Sequence, residues 1–180
     1  MTDAPRLETE RLILRGVDAE RDFEPLATLL ADEETARFIG GVQERATAWR
    51  SMCALIGHWR VRGYGFFAVE EKASGAFIGR VGPWFPEGWP APEVGWTLSR
   101  DHWGKGYALE AASASLDWAF DHLAWTEVIH VIDAENRNSQ RVAEKLGSRR
   151  VGGVENLRPF GMSPDIWGQS AAEWRAARRR

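Results

Sequence analysis

Glu93-Val94-Gly95-Trp96-Thr97-Leu98-Ser99-Arg100-Asp101-His102-Trp103-Gly104-Lys105-Gly106-Tyr107-Ala108-Leu109-Glu110-Ala111 reads as a strand that turns through glycines directly into a helix. The first backbone N–H groups of a helix lack internal partners and sit at the positive end of its dipole, so a turn without bulky side chains there can hold an anion such as pyrophosphate. Two common phosphate-binding schemes do not fit. A dinucleotide fingerprint would need a small residue three positions after Gly106, where Leu109 stands, and would open the first βα unit of the chain. A P-loop would need Ser or Thr after Lys105, which is followed by Gly106.

Working outward, Leu109, Ala112, Leu116, Ala119, Phe120 and Leu123 recur at steps of three and four, which predicts a helix from about Gly106 to His122. Glu127 to Ile132 is apolar and β-branched, a fifth strand. With Glu93 to Leu98 and the helix between them it forms a crossover unit. Asn138 and Ser139 are expected to cap a short helix carrying Val142, Ala143 and Leu146 that stops at Gly147. Arg149–Val154 and Ile166–Gln169 read as sixth and seventh strands.

Upstream, Arg11 to Arg15 alternates basic with aliphatic residues as a first strand. Asp18–Leu30 is helical and Asp32–Phe38 adds a helical turn or two. Glu44–Arg62 is a longer helix, ended by Gly63. On it, the stripe Trp49, Met52, Cys53, Ile56, Trp59 predicts a buried face, with Cys53 a small core hydrophobe and Trp49, Trp59 and the later Trp118 core residues. Gly65–Glu70 and Ala76–Val81 read as a hairpin. Pro83 to Pro92 holds four prolines and the aromatics Trp84, Phe85 and Trp89, and is expected to be a loop. The sum is a mixed α+β domain with a largely antiparallel sheet, one domain over residues 1–180 with a core of about 6–175 and a basic tail at 176–180.

With 44% hydrophobic and 27% charged residues the chain belongs to the ordinary globular class, and its net charge of −3 gives no reason to expect nucleic-acid binding. Arg178-Arg179-Arg180 reads as a solvated end. One cysteine makes no internal disulfide, and no membrane or leader segment is evident, so a cytoplasmic setting is expected. His58, His102, His122 and His130 show no ligand spacing, and no metal is expected.

Trp103-Gly104-Lys105-Gly106-Tyr107-Ala108 with Glu110-Ala111 resembles the acyl-CoA motif of the GNAT acyltransferase superfamily, Gln/Arg-x-x-Gly-x-Gly/Ala, with Trp103 where Gln or Arg is more usual. It looks like the branch that includes ribosomal-protein Ser/Ala N-terminal acetyltransferases. The resemblance extends through Thr9–Arg15, through Gly75–Gly82, and through Glu135-Asn136-Arg137-Asn138-Ser139 to Glu144–Gly147. It implies a GNAT fold, a mostly antiparallel sheet of six to seven strands with parallel, splayed strands four and five, flanked by about four helices.

The resemblance also implies acetyl-CoA as co-substrate, its pantetheine arm pairing with backbone groups of Trp96, Thr97 and Leu98 and touching Asn136. Its pyrophosphate would rest on the N–H groups of Gly104, Lys105, Gly106, Tyr107 and Ala108. The activity implied is acyl transfer to an amine, either a peptide N-terminus or a small molecule. Glu93 stands where relatives often place a base, and is otherwise a solvated strand-end carboxylate. Where relatives place a thiolate-protonating tyrosine this chain has Ala143, so Ser139 is the alternative donor, and the bland role for it is a helix cap. Trp84, Phe85 and Trp89 are expected to wall the acceptor pocket. Succinyl transfer would need a cation near the acyl group, for which Arg80 and Arg100 are in view; a CoA-binding module without turnover is the other alternative. Exposed aromatics leave a homodimer open.

Overall fold

The computed structural model describes residues 4–157 and 161–179. Among the described residues eight strands form one sheet in the order β1-β2-β3-β4-β5-β6-β8-β7. They are β1 (Leu7–Glu8), β2 (Leu12–Arg15), β3 (Phe67–Glu71), β4 (Phe77–Trp84), β5 (Glu93–Leu98), β6 (Glu127–Ile132), β7 (Arg149–Gly153) and β8 (Asp165–Ser170). Six α-helices accompany them among the described residues: α1 (Ala19–Ala31), α2 (Glu33–Ala36), α3 (Arg45–Arg62), α4 (Tyr107–His122), α5 (Arg137–Lys145) and α6 (Ala171–Ala177). The two-residue β1 and the short α6 are additions to the sequence expectation, whereas α2 falls within the expected turn at Asp32–Phe38. All pairings are antiparallel except β5 with β6, joined by the α4 crossover.

Local chemistry accounts for the boundaries. The Asp18 carboxylate accepts the N–H groups of Glu20 and Arg21 and starts α1. Gly63, at φ +76°, closes α3, and a Ser170–Glu173 capping box starts α6. α4 buries Ala111, Ala112, Leu116 and Ala119 against the sheet, while Leu26 and Leu30 of α1 meet Met52 and Leu55 of α3 in a second cluster. Arg15 at the end of β2 is locked by a bidentate pair with the fully buried Asp22, at 2.7 and 2.8 Å, and by Glu70 at 3.0 Å.

Several sequence expectations are corrected. α3 turns Ala48, Met52, Leu55 and Trp59 inward, so Cys53 is exposed and Trp49 is 48% exposed, edge-on to Phe23 at 5.0 Å. Trp59 and Trp118 are buried as expected. β4 runs on through Pro83 and Trp84, which pair with Val94 and Glu93. Ile78 gives its carbonyl to Ser99 of the β5 side, so by alternation Pro83 turns its missing N–H toward β3, which has already ended beside Val81. α5 is capped by Asn136, whose Oδ1 accepts the Ser139 N–H, rather than by Asn138 or Ser139. At the C-terminal end Ala176 and Ala177 belong to α6, and Arg178 pairs with Asp117 at 3.1 Å; Arg180 lies outside the described residues.

Candidate active site

The parallel pair opens almost as soon as it forms. Glu93 faces Ile129, the Ile129 N–H reaches the Pro92 carbonyl at 2.8 Å, and beyond that point β5 and β6 diverge. Side chains take over the ladder's bonds. Glu93 Oε1 accepts the Val131 N–H at 3.0 Å, His130 Nδ1 meets the Val94 carbonyl at 2.6 Å, and Trp96 Nε1 donates to Ser139 Oγ at 3.2 Å. A carbonyl is only an acceptor, so Nδ1 carries the proton and Nε2 accepts from the Ser148 hydroxyl at 2.9 Å. Burial pushes His130 down to about 4, keeping it neutral. His130 is thus a wedge, a role its sequence position did not reveal.

The opening widens into a cavity of about 260 Å³ between the sheet and α3. Glu93, 6% exposed, lies on its floor. Burial pushes its carboxyl up to about 7, against the opposing pull of the Val131 N–H, of the Trp89 indole at 2.7 Å and of the Arg80 charge. The solvated-carboxylate alternative therefore does not hold. A carboxylate near 7 can take and return a proton at neutral pH. Among the described residues, Arg80 brings a cation to the same cavity, half-buried with its Nε fully enclosed.

Trp84 and Trp89 line the cavity, whereas Phe85 does not: its N–H meets His58 Nε2 at 3.4 Å and its ring lies toward Arg62. Trp84 stacks on His58 at 4.3 Å and packs on Phe66, so it is core as well as wall. Asn136 and Ser139 lie on the β6 side. The Asn136 carbonyl oxygen is spent on the α5 cap. Ser139 Oγ accepts from Trp96, while its own O–H has no acceptor among the described residues.

Of the three β5 residues expected to offer backbone groups, alternation divides them. Val94 turns its carbonyl to the gap and the neighbouring Ser99 turns its N–H to β4, so Trp96 and Leu98 face the gap and Thr97 faces β4. The Thr97 side chain still lines the cavity. The Leu98 carbonyl is already taken by Trp103 Nε1 at 2.7 Å, which leaves the Trp96 groups and the Leu98 N–H.

At the mouth of the gap, Gly104 and Gly106 adopt φ +72° and +82°, and a side chain added at Gly104 would meet nothing within 4 Å. The N–H groups of Gly104, Lys105 and Gly106 have no partner among the described residues. Tyr107 and Ala108 open α4, their N–H groups unpaired by helix construction, although the Tyr107 ring is buried with its hydroxyl on Glu71. The Lys105 side chain is exposed. The turn thus offers a row of outward amides at a helix start, which fits a pyrophosphate.

Arg11, not anticipated as part of this region, clasps it. Glu110 of α4 accepts from the Thr9 hydroxyl at 2.6 Å, the Arg11 N–H at 2.8 Å and Arg11 Nε at 2.7 Å, while Arg11 Nη1 holds the Lys105 carbonyl at 2.9 Å. The N-terminal motif and the glycine turn, far apart in sequence, are one clamp. Among the described residues no cluster of His, Cys, Asp or Glu could hold a metal ion, and no helix is long and apolar enough to cross a membrane.

Comparisons with known proteins agree with this architecture. The acetyltransferase (GNAT) domain profile matches residues 11–149. The Bacillus subtilis (strain 168) protein YkkB is 31% identical over 154 residues, 82% of this chain and 87% of its own. An acetyltransferase from Agrobacterium tumefaciens strain C58 superposes with a TM-score of 0.80 at 30% identity, covering 92% of this chain and 94% of that one. RimJ of Mycobacterium smegmatis, solved in complex with CoA-disulfide, shares the fold with a TM-score of 0.71 at 20% identity, covering 90% of this chain and 83% of that one.

Proposed function

The chain belongs to the GNAT acetyltransferase family, and from that premise we propose that it moves an acetyl group from acetyl-CoA to a primary amine by direct attack on the thioester. The observation that carries this reading is Glu93: a buried carboxyl pushed up to about 7, facing a cavity at the point where β5 and β6 part.

Acetyl-CoA supplies an activated acyl carbon and a thiolate leaving group. This chain supplies the rest. The outward amides from Gly104 to Ala108 bind the pyrophosphate at the positive end of α4. The gap-facing carbonyl of Trp96 and the Leu98 N–H pair with the amides of the arm, as an added strand would. An amine that reaches the cavity arrives largely as ammonium, with a pKa of about 10, and must lose a proton to attack. Glu93, held by Trp89 and Val131, accepts it directly or through water.

The Trp96 N–H, turned to the gap, is suited to the developing oxyanion. The unused O–H of Ser139 is suited to the departing sulfur, which at a thiol pKa of about 8.5 needs little help. Trp84 and Trp89 give the acceptor side an aromatic wall. The enzyme acts as a single domain spanning residues 1–180, in the cytoplasm, without a metal.

Thiol release from acetyl-CoA across a panel of amines and peptides tests the reading. Turnover that falls at least a hundredfold in Glu93→Gln, with CoA binding by calorimetry retained, is the expected result. Equal turnover in that variant would remove Glu93 from the chemistry, and an absence of heat with CoA would remove the family's donor.

A further inference from the structure

Arg80 has no hydrogen bond and no ion pair among the described residues, although its Nε is buried. Its guanidinium lies over the Phe66 ring, Cζ to centroid 4.9 Å, and lines the same cavity as Glu93. Burial pushes its pKa down to about 10, with the Glu93 charge opposing. A half-buried cation whose Nε is enclosed without a hydrogen bond or ion pair is costly. The fold maintains one here at a ligand-accessible wall.

Register places the two charges. Arg80 pairs with Thr97 across β4 and β5, Trp84 pairs with Glu93, and Gly95 stands between Glu93 and Thr97 on the same side of β5. A side chain at Gly95 would press on Phe66 at 3.1 Å and on Glu93 Oε1 at 3.4 Å, so glycine keeps the space between the two charges clear. A guanidinium presents a planar fork of N–H donors that matches a carboxylate in two-point contact.

We propose that Arg80 is the cavity's receptor for a substrate carboxylate, so that the reacting pair delivers an amine to Glu93 and a negatively charged carboxylate to Arg80. The proposal rests on the reading of Glu93 as the acceptor's base. The carboxylate has two sources: an amino-acid-type acceptor, or the distal carboxylate of a dicarboxylic acyl donor. Either neutralises Arg80 on binding, and neither requires a change in the transfer chemistry. An amine without a carboxylate, presented with acetyl-CoA, leaves the cation unmatched.

Three tryptophans line the cavity, so its occupancy can be followed by fluorescence without turnover. Wild-type protein is titrated with succinate and with succinamide, and Arg80→Met and Arg80→Lys are compared after thermal melts establish that they fold. Saturable binding of succinate in preference to succinamide is expected, weakened on the order of ten- to a hundredfold in Arg80→Met and less in Arg80→Lys. Two kinetic arms then separate the sources. Amino acids against their amides with acetyl-CoA read the acceptor, and succinyl-CoA against acetyl-CoA with a neutral amine reads the donor.

A preference for the anion in wild type that disappears in Arg80→Met, in either arm, supports the proposal and names the source. Indifference of the wild type to charge in the titration and in both arms overturns it, as does a preference that Arg80→Met retains. Succinate binding that depends on Arg80 in a protein releasing no thiol would instead sink the transferase reading while leaving the receptor in place.

Discussion

Trp89 Nε1 donates to Glu93 Oε2 at 2.7 Å, tying the end of the proline-rich segment to the first residue of β5. The bond favours the charged carboxylate against burial, which raises its pKa. Trp89→Phe keeps much of the ring and deletes the donor. The kcat/KM profile of the wild type is expected to rise with pH through an apparent value near 7, and that limb should move to higher pH in Trp89→Phe. An unmoved limb would separate the measured titration from Glu93.

Two buried groups of the site contribute to the pH dependence of stability with opposite sign. Glu93 titrates near 7 in the folded protein and near the usual 4.5 when unfolded, so the native state holds the extra proton and stability falls as pH rises between those values. His130 titrates near 4 folded and near 6.5 unfolded, so its contribution is present above 6.5 and lost as pH falls toward 4. Glu93→Gln deletes only the first. Denaturant titrations of that variant should show stability climbing more steeply from pH 4.5 to 6.5 than in wild type. Parallel curves would contradict the Glu93 shift.

Asp22 is fully buried and accepts from Arg15 twice and from the Asp18 N–H at 2.8 Å. Asp22→Ala leaves the guanidinium, 13% exposed, with only Glu70 as a carboxylate partner. Chemical denaturation should register a loss of about 3–5 kcal/mol. A loss below about 1 kcal/mol would mean that water replaces the pair.

Glu110 and Arg11 shape the glycine turn without occupying its outward amides. Arg11→Ala removes the hold on the Lys105 carbonyl and one side of the Glu110 pair. Calorimetry with CoA should show a Kd raised about three- to tenfold, with acceptor KM unchanged; this is roughly one hydrogen bond's worth of preorganisation. An unaltered Kd would show that the turn holds its shape alone.

The glycine turn, the α4 face and the crossover could be read from residues because each rests on a local pattern: a period of three to four, a glycine where φ is positive, a β-branched run. Patterns that covered too much of a surface misled. In α3 apolar residues occur all around the helix, so the stripe Trp49, Met52, Cys53, Ile56, Trp59 reads as the core face, and only the docking of α1 and Phe66 turns Ala48 and Leu55 inward instead of Trp49 and Cys53. The Pro83–Trp84 extension of β4 was hidden by the usual exclusion of proline from strands, which fails where the neighbouring strand stops first. Arg80 and His130 reach the cavity through register across three strands, and no short-range signal encodes that. Strand position nominates Glu93, but its departure from ordinary carboxylate behaviour comes from burial between β5, β6 and the preceding loop, which its hydrogen bonds to Trp89 and Val131 only partly offset.

Three side-chain links between β5 and the β6–α5 segment bridge the two walls of the split from within the protein itself, which makes the split in the sheet a slot rather than a hinge. A thread entering such a slot has no strands to prise apart. Its arrival is then governed by encounter, its stay by the few edge groups left open, and the sheet on either side keeps its shape through each cycle of entry and exit.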